Sequence, residues 1–176
     1  MTFPYRRVLI VGCGGSGKST LAQAMGKRFA LPVAHLDRIW WKPGWEHISR
    51  EEFDRLLTIE LQKPAWIIDG NYRRTFARRL EHADFCLLLD LDTEVCLQSA
   101  YERALIYQGK TRPDMADGCA ERVDPQFREW VLSFKRDVLP QMRHELAQSG
   151  VPHQVFTTRE EAWAWMESFA AMNKKV

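Results

Sequence analysis

Residues Gly12 to Ser19 read G-C-G-G-S-G-K-S. The spacing G-x-x-x-x-G-K-[ST] is that of a phosphate-binding loop, and each residue type in it has a mechanical reason. Gly12, Gly14, Gly15 and Gly17 let the backbone curl and turn its N–H groups inward around an anion. Lys18 supplies a point charge for β- and γ-phosphates, and Ser19 can put its hydroxyl on Mg²⁺. The stretch Gly12–Thr20, with Cys13 and Ser16 inside the curl, is the candidate seat for ATP·Mg²⁺.

Other positions could complete a phosphoryl-transfer site. Asp37 closes the apolar segment Val33–Leu36, where an open α/β sheet binds its ligands. It could take a proton from a substrate hydroxyl, hold a Mg²⁺-bound water, or simply cap a turn. Asp69 follows Trp66-Ile67-Ile68, a position from which an aspartate binds Mg²⁺ directly or through water. Arg73, just beyond it, is placed to grip an anionic acceptor, whereas Arg78 and Arg79 read as a solvated basic helix face. Arg103 and Arg112 flank and enter a long polar segment, and positioned cations stabilise a moving phosphoryl group. Trp40, Trp41 and Trp45 crowd one loop; they offer stacking surfaces for a planar substrate or fold inward as a local core.

Elements must position these groups. Short apolar runs at Arg7–Val11, Val33–Leu36, Ala65–Asp69, Phe85–Asp90 and His153–Phe156 read as strands. Helical patterns separate them, which predicts a parallel sheet covered by helices on both faces. Thr20–Phe29 places Leu21, Met25 and Phe29 at helical spacing. Ser49 with Glu52, and Thr158 with Glu161, are capping-box pairs opening two further helices. The first carries Phe53, Leu56, Leu57 and Leu61 on its apolar face, the second Trp163, Met166 and Phe169. Pro125–Gln148 is helical, with Pro140 expected to split it. Gly109–Asp124 has no apolar period and reads as a functional or mobile loop. Asn173–Val176 reads as a frayed tail.

Composition excludes several classes. The 176 residues suit one domain, with 45% hydrophobic and 27% charged residues. A net charge of +2 is too small to argue for nucleic acid or a membrane surface. No apolar run approaches the roughly 20 residues of a membrane span, and no signal-peptide pattern follows Met1–Arg7. The four cysteines form no C-x-x-C pair, so a structural zinc site is not expected and a reduced, cytoplasmic setting is. No guanine-reading N/T-K-x-D is present; Asn173-Lys174-Lys175-Val176 lacks the aspartate.

The whole chain resembles the adenylate-kinase-like branch of P-loop kinases. Asp69-Gly70-Asn71-Tyr72-Arg73 resembles the D-G-F-P-R segment of nucleoside monophosphate kinases. With His35-Leu36-Asp37, the tryptophan loop, Arg112-Pro113-Asp114-Met115 and Gly118-Cys119, the chain is most similar to bacterial DNA topology modulation (FlaR-like) proteins. The resemblance implies an α/β P-loop NTPase: a five-stranded parallel sheet in the order 2-3-1-4-5, in one domain over residues 1–176, with a small lid at about 108–124. It also implies that Thr157, Thr158 and Arg159 lie near the adenine. Asn71 and Tyr72 replace the phenylalanine and proline of the kinase segment, and the stretch between Asp37 and Asp69 is short and tryptophan-rich. Both departures fall where the acceptor would bind.

The expectation is therefore an ATP- and Mg²⁺-dependent phosphotransferase acting on a small-molecule acceptor. Lys18, Asp37, Arg73, Arg103 and Arg112 are its candidate catalytic residues. Gly12–Thr20, Thr158 and Arg159 would bind nucleotide, and Ser19 and Asp69 would hold the metal. The rival expectation is a regulatory ATPase or nucleic-acid-binding protein, supported by the Arg73, Arg74, Arg78, Arg79 cluster.

Overall fold

The computed structural model describes residues 2–170; the expected tail at Asn173–Val176 lies outside them. In chain order the elements are β1 (Arg7–Gly12), α1 (Lys18–Phe29), β2 (Val33–His35), α2 (Leu36–Trp40), β3 (Trp41–Lys42), β4 (Glu46–His47), α3 (Arg50–Leu61) and β5 (Trp66–Asp69). Then come α4 (Phe76–His82), β6 (Phe85–Leu89), α5 (Thr93–Ile106), α6 (Pro125–Asp137), α7 (Leu139–Ser149), β7 (His153–Phe156) and α8 (Arg159–Glu167).

Five strands form one parallel sheet in the order β2-β5-β1-β6-β7. Counting only these strands, this is the expected order 2-3-1-4-5. All five expected strands are present. β1 is central because Val8, Leu9, Ile10 and Val11 are apolar on both faces and fully buried. Leu21, Met25 and Phe29 bury one face of α1, each such side chain stabilising by about 1.5–3 kcal/mol. Crossing from β1 to β5 reverses the direction of winding, and that switch opens a crevice at the strands' carboxyl ends.

Local signals acted with two exceptions. Thr158 and Glu161 close a full capping box at α8. Ser49 caps α3 by accepting from Glu52 N at 3.1 Å, but the Glu52 carboxylate is taken by Arg55, so that box is only half formed. Pro140 sits in the first turn of α7, and the helical stretch breaks at Val138. The second exception is β2, which ends one residue early. Leu36 already belongs to α2, so Asp37 lies in the first turn of a helix rather than at a strand tip. The tryptophan loop is itself ordered: β3 and β4 pair antiparallel, with Trp41 opposite His47.

The segment between α5 and α6 is a loop, as its lack of apolar period predicts. It is nevertheless packed: Arg112, Asp114, Met115, Cys119 and Glu121 are buried. It folds back through bridges between Gln108 and Glu121 and between Thr111 and Ala120. It then docks on the tryptophan hairpin: Gly44 N donates to Gly118 O at 3.0 Å, Trp45 Nε1 to Ala120 O at 3.0 Å, and Cys119 Sγ to Lys42 O at 3.0 Å. Polar composition hid this because the buried charges neutralise one another.

Candidate active site

β1 ends in the glycine loop, which delivers Lys18 as the first residue of α1. Two glycines are required sterically. A Cβ at Gly12 would meet Leu89 O at 2.4 Å, and one at Gly15 would meet Cys96 O at 2.0 Å; both residues have positive φ. Lys18 Nζ donates to the loop's own Cys13 O at 2.7 Å. Burial pulls the Lys18 pKa below the ordinary lysine value, with Asp69, Cys13 and Asp37 opposing that shift.

Asp69 ends β5 and is 3% exposed. Its Oδ2 accepts from Ser19 Oγ at 2.6 Å, while Oδ1 faces His35 Nδ1 at 2.5 Å. Burial works against charge on His35, but the hydrogen bond and charge of Asp69 outweigh it and raise the His35 pKa above its ordinary value. Ser19 and Asp69 thus bring two hard oxygen donors together beside Lys18. That suits Mg²⁺, which takes one or two protein ligands and completes its shell with phosphates and water. Among the described residues no cluster of three or more His, Cys, Asp or Glu could form an all-protein metal cage.

Asp37 is held by Tyr72, whose hydroxyl donates to Asp37 Oδ1 at 2.7 Å. Burial raises the Asp37 pKa above the ordinary carboxylate value; the Tyr72 bond and the charges of Arg112 and Lys18 offset part of that, while Asp69 adds to it. Burial, then the Asp37 charge and bond, push the Tyr72 phenol up, so it remains a donor. Tyr72 has a left-handed backbone, φ 34°, which costs a non-glycine residue about 1–3 kcal/mol. Its carbonyl is fastened by Thr75 N at 2.9 Å and Thr75 Oγ1 at 3.0 Å.

Arg79 corrects the expectation of a solvated basic face. It is fully buried, and its guanidinium donates to the carbonyls of Gly70, Asn71 and Tyr72. Burial pulls its pKa down to about 10, so it still carries its charge at neutral pH. Arg74 is paired with Asp54 at 2.6 Å, and Arg78 donates to Thr58 Oγ1 at 2.6 Å. The four arginines therefore do not form one basic patch.

Two cavities meet at the phosphate loop. One, of about 410 Å³, runs past Thr20, Gln23, Tyr107, Arg159 and Trp163. The other, of about 670 Å³, runs past Asp37, Asp69, Tyr72 and the tryptophan hairpin. Gly15, Lys18, Ser19, Arg103 and Arg112 line both. Arg112 pairs with Asp114 at 2.7 Å and with Glu121, and Arg103 shares Glu121 at 3.0 Å. Burial and the neighbouring Arg112 charge lower the Arg103 pKa.

The remaining expected residues fall as follows. Arg159 donates to Gly15 O and Ser99 Oγ, each at 2.7 Å, and lines the smaller cavity. Thr158 caps α8 and lines neither cavity. Arg73 is exposed on a separate shallow pocket of about 280 Å³, with Trp40 and Tyr72 standing between it and the larger cavity as lining shared by both. Trp163, expected in the core, is half-buried and faces the smaller cavity. Sequence reasoning missed the roles of His35, Asn71, Tyr72, Glu121, Phe127 and Trp130. For Asn71 and Tyr72 a signal existed, since they are where the chain departs from the kinase segment; for Phe127 and Trp130, on the helix after the loop, nothing local separated cavity lining from core.

A parallel sheet wound in this order, with a glycine loop after its central strand and a strand-end aspartate against the loop's serine, defines a P-loop NTPase fold of the kinase-like kind. Several solved structures that it resembles are kinases of small metabolites. They include a shikimate kinase from Bacteroides thetaiotaomicron (TM-score 0.56, 14% identity, covering 94% of this chain and 96% of that one). A gluconokinase from Sinorhizobium meliloti matches at TM-score 0.57 and 14% identity, covering 96% and 94%. An unliganded sugar kinase from a Janibacter species matches at TM-score 0.53 and 17% identity, covering 94% and 92%. No protein-family model and no curated protein matches the chain.

Proposed function

We propose that this chain is an ATP-dependent kinase of a small hydroxylated acceptor. One observation carries the reading: two cavities, of about 410 and 670 Å³, share Lys18, Ser19, Arg103 and Arg112 at their junction. Cations concentrated between two chambers are what phosphoryl transfer needs, because the moving group spreads negative charge over its equatorial oxygens. The similarity to a shikimate kinase, a gluconokinase and a sugar kinase supports it.

In this reading the loop Gly12–Thr20 cradles the phosphates of ATP, with Arg159 and Trp163 toward the base. Ser19 and Asp69 would hold Mg²⁺, which supplies counter-charge to the phosphates. Lys18 moves from Cys13 O to the phosphate oxygens. Asp37 takes the acceptor's proton; its raised pKa makes it a better base than an ordinary carboxylate. Arg103 and Arg112 stabilise charge at the junction. The segment 108–124 acts as the lid, within one domain spanning residues 1–176, and the FlaR-like resemblance names the family within the kinase-like group. Arg73 would act on an acceptor only by reaching around Trp40 and Tyr72. Among the described residues no helix is long and apolar enough to cross a membrane; a cytoplasmic setting is part of the proposal.

The test is nucleotide calorimetry on the parent and Lys18→Ala, followed by a screen of hydroxylated metabolites for ATP-dependent phosphorylation. Loss of affinity in Lys18→Ala and turnover of an acceptor are expected. Equal affinity in both proteins would overturn the reading.

A further inference from the structure

The larger cavity has an aromatic lining from three separate segments: Trp40, Trp41 and Trp45 around the hairpin, Tyr72 after β5, and Phe127 and Trp130 on α6. Indole and phenyl faces favour flat, weakly hydrated rings and stack on them without demanding a hydrogen-bond pattern. Open-chain polyols such as gluconate offer no ring face.

Its charges are equally informative. The lysines and arginines lining it are Lys18, Arg103, Arg112 and Arg122. The first three also line the smaller cavity, so bound triphosphate claims them. Arg122 is tied to Asp124 at 3.3 Å and lies over the Trp45 ring at 5.1 Å. Arg73 faces the separate pocket. Against these stand the carboxylates Asp37, Asp69, Glu121 and Asp124. His47, the other basic side chain in the lining, stacks on Trp40 with its Nδ1 2.9 Å from Ile48 O. Among the described residues, an anionic group on the acceptor would be desolvated among carboxylates with no uncommitted lysine or arginine to meet it.

Resting on the kinase reading above, we propose that the acceptor is an uncharged alcohol carrying a flat ring, and that its monophosphate or carboxylate counterparts are rejected. The ring seats among the tryptophans and the hydroxyl reaches Asp37. Asp37 Oδ1 is occupied by Tyr72, so Oδ2 takes the proton. The acceptor oxygen bonds the γ-phosphorus as the bond from that phosphorus to the β–γ bridging oxygen breaks, and the electron pair leaves with ADP.

The test uses the full chain loaded with Mg²⁺ and a non-hydrolysable ATP analogue. Tryptophan fluorescence is titrated with adenosine, uridine and 4-methylbenzyl alcohol, with their anionic counterparts AMP, UMP and 4-methylbenzoate, and with gluconate and shikimate. At least one neutral ring alcohol should bind about tenfold or more tightly than its counterpart, a difference of about 1.4 kcal/mol. Trp41→Ala and Trp45→Phe should weaken that binding and leave analogue affinity unchanged. Gln126→Arg, which adds a cation at the exposed rim, should narrow the discrimination. The acceptor class is overturned if the anionic members bind as tightly, if gluconate or shikimate is preferred, if no neutral ring alcohol binds, or if Gln126→Arg leaves the preference unchanged. Failure to bind the ATP analogue at all would instead overturn the kinase reading.

Discussion

Asn71 holds both backbone polar groups of Gly12. The carboxamide accepts from Gly12 N at 3.0 Å and donates to Gly12 O at 2.6 Å. The first residue of the phosphate loop is thereby fixed to the loop that follows β5. An asparagine supplies donor and acceptor together; the phenylalanine of the similar kinase segment supplies neither.

Asn71→Ala should therefore strip two buried backbone groups of their partners, at a cost of about 1–3 kcal/mol. Urea unfolding reads the loss, and nucleotide affinity should fall with it. Asn71→Asp keeps the acceptor and loses the donor, so it should lie between parent and alanine. An unchanged urea midpoint in Asn71→Ala would show that the clamp contributes nothing.

Arg79→Met should destabilise by at least about 2 kcal/mol, because three loop carbonyls lose a charged donor in a buried site. The same change should release the left-handed Tyr72 and separate its hydroxyl from Asp37. Thermal unfolding measures the first effect, and the acid limb of activity the second.

The pH profile should report Asp37. Its proton-accepting form exists above its pKa, which burial has raised, so kcat/KM should climb with pH through a limb above the ordinary carboxylate range. The Tyr72 bond favours the carboxylate, so Tyr72→Phe should raise the pKa further and move the limb to higher pH. Asp37→Asn should lose the limb and about 10²–10⁴-fold in rate. A limb that stays in place in Tyr72→Phe would argue against Asp37 as the base.

Arg112→Ala and Arg103→Ala should slow single-turnover transfer far more than they weaken ATP binding. Loss of a charge-stabilising arginine can cost on the order of 10³-fold. Arg112→Lys keeps a charge against Asp114 and Glu121 but not the planar fork, and should recover folding more fully than rate. Unchanged transfer in both alanine variants would remove the arginine mechanism.

Features that depend on neighbours in sequence were legible from sequence. The glycine loop, the apolar β1, the Thr158–Glu161 box and the break before Pro140 are each settled within a few residues by backbone sterics, periodicity or a local hydrogen bond. Asp69 and Lys18 were legible for the same reason, being a strand end and a loop end. What tertiary structure alone decided is how distant polar groups are spent. Gly12 and Asn71 are 59 residues apart, His35 and Asp69 34, and Arg103 and Glu121 18. A charge reads as solvated in sequence, and only the packing of β5 against β1, or of the 109–124 segment against the tryptophan hairpin, brings the partner that makes its burial affordable. Arg79 and Arg73 look alike in the chain; one is enclosed by loop carbonyls and the other stands exposed outside the cavity, because Arg73 lies in the short 3-10 turn that precedes α4 and Arg79 six residues on, inside α4 against the loop.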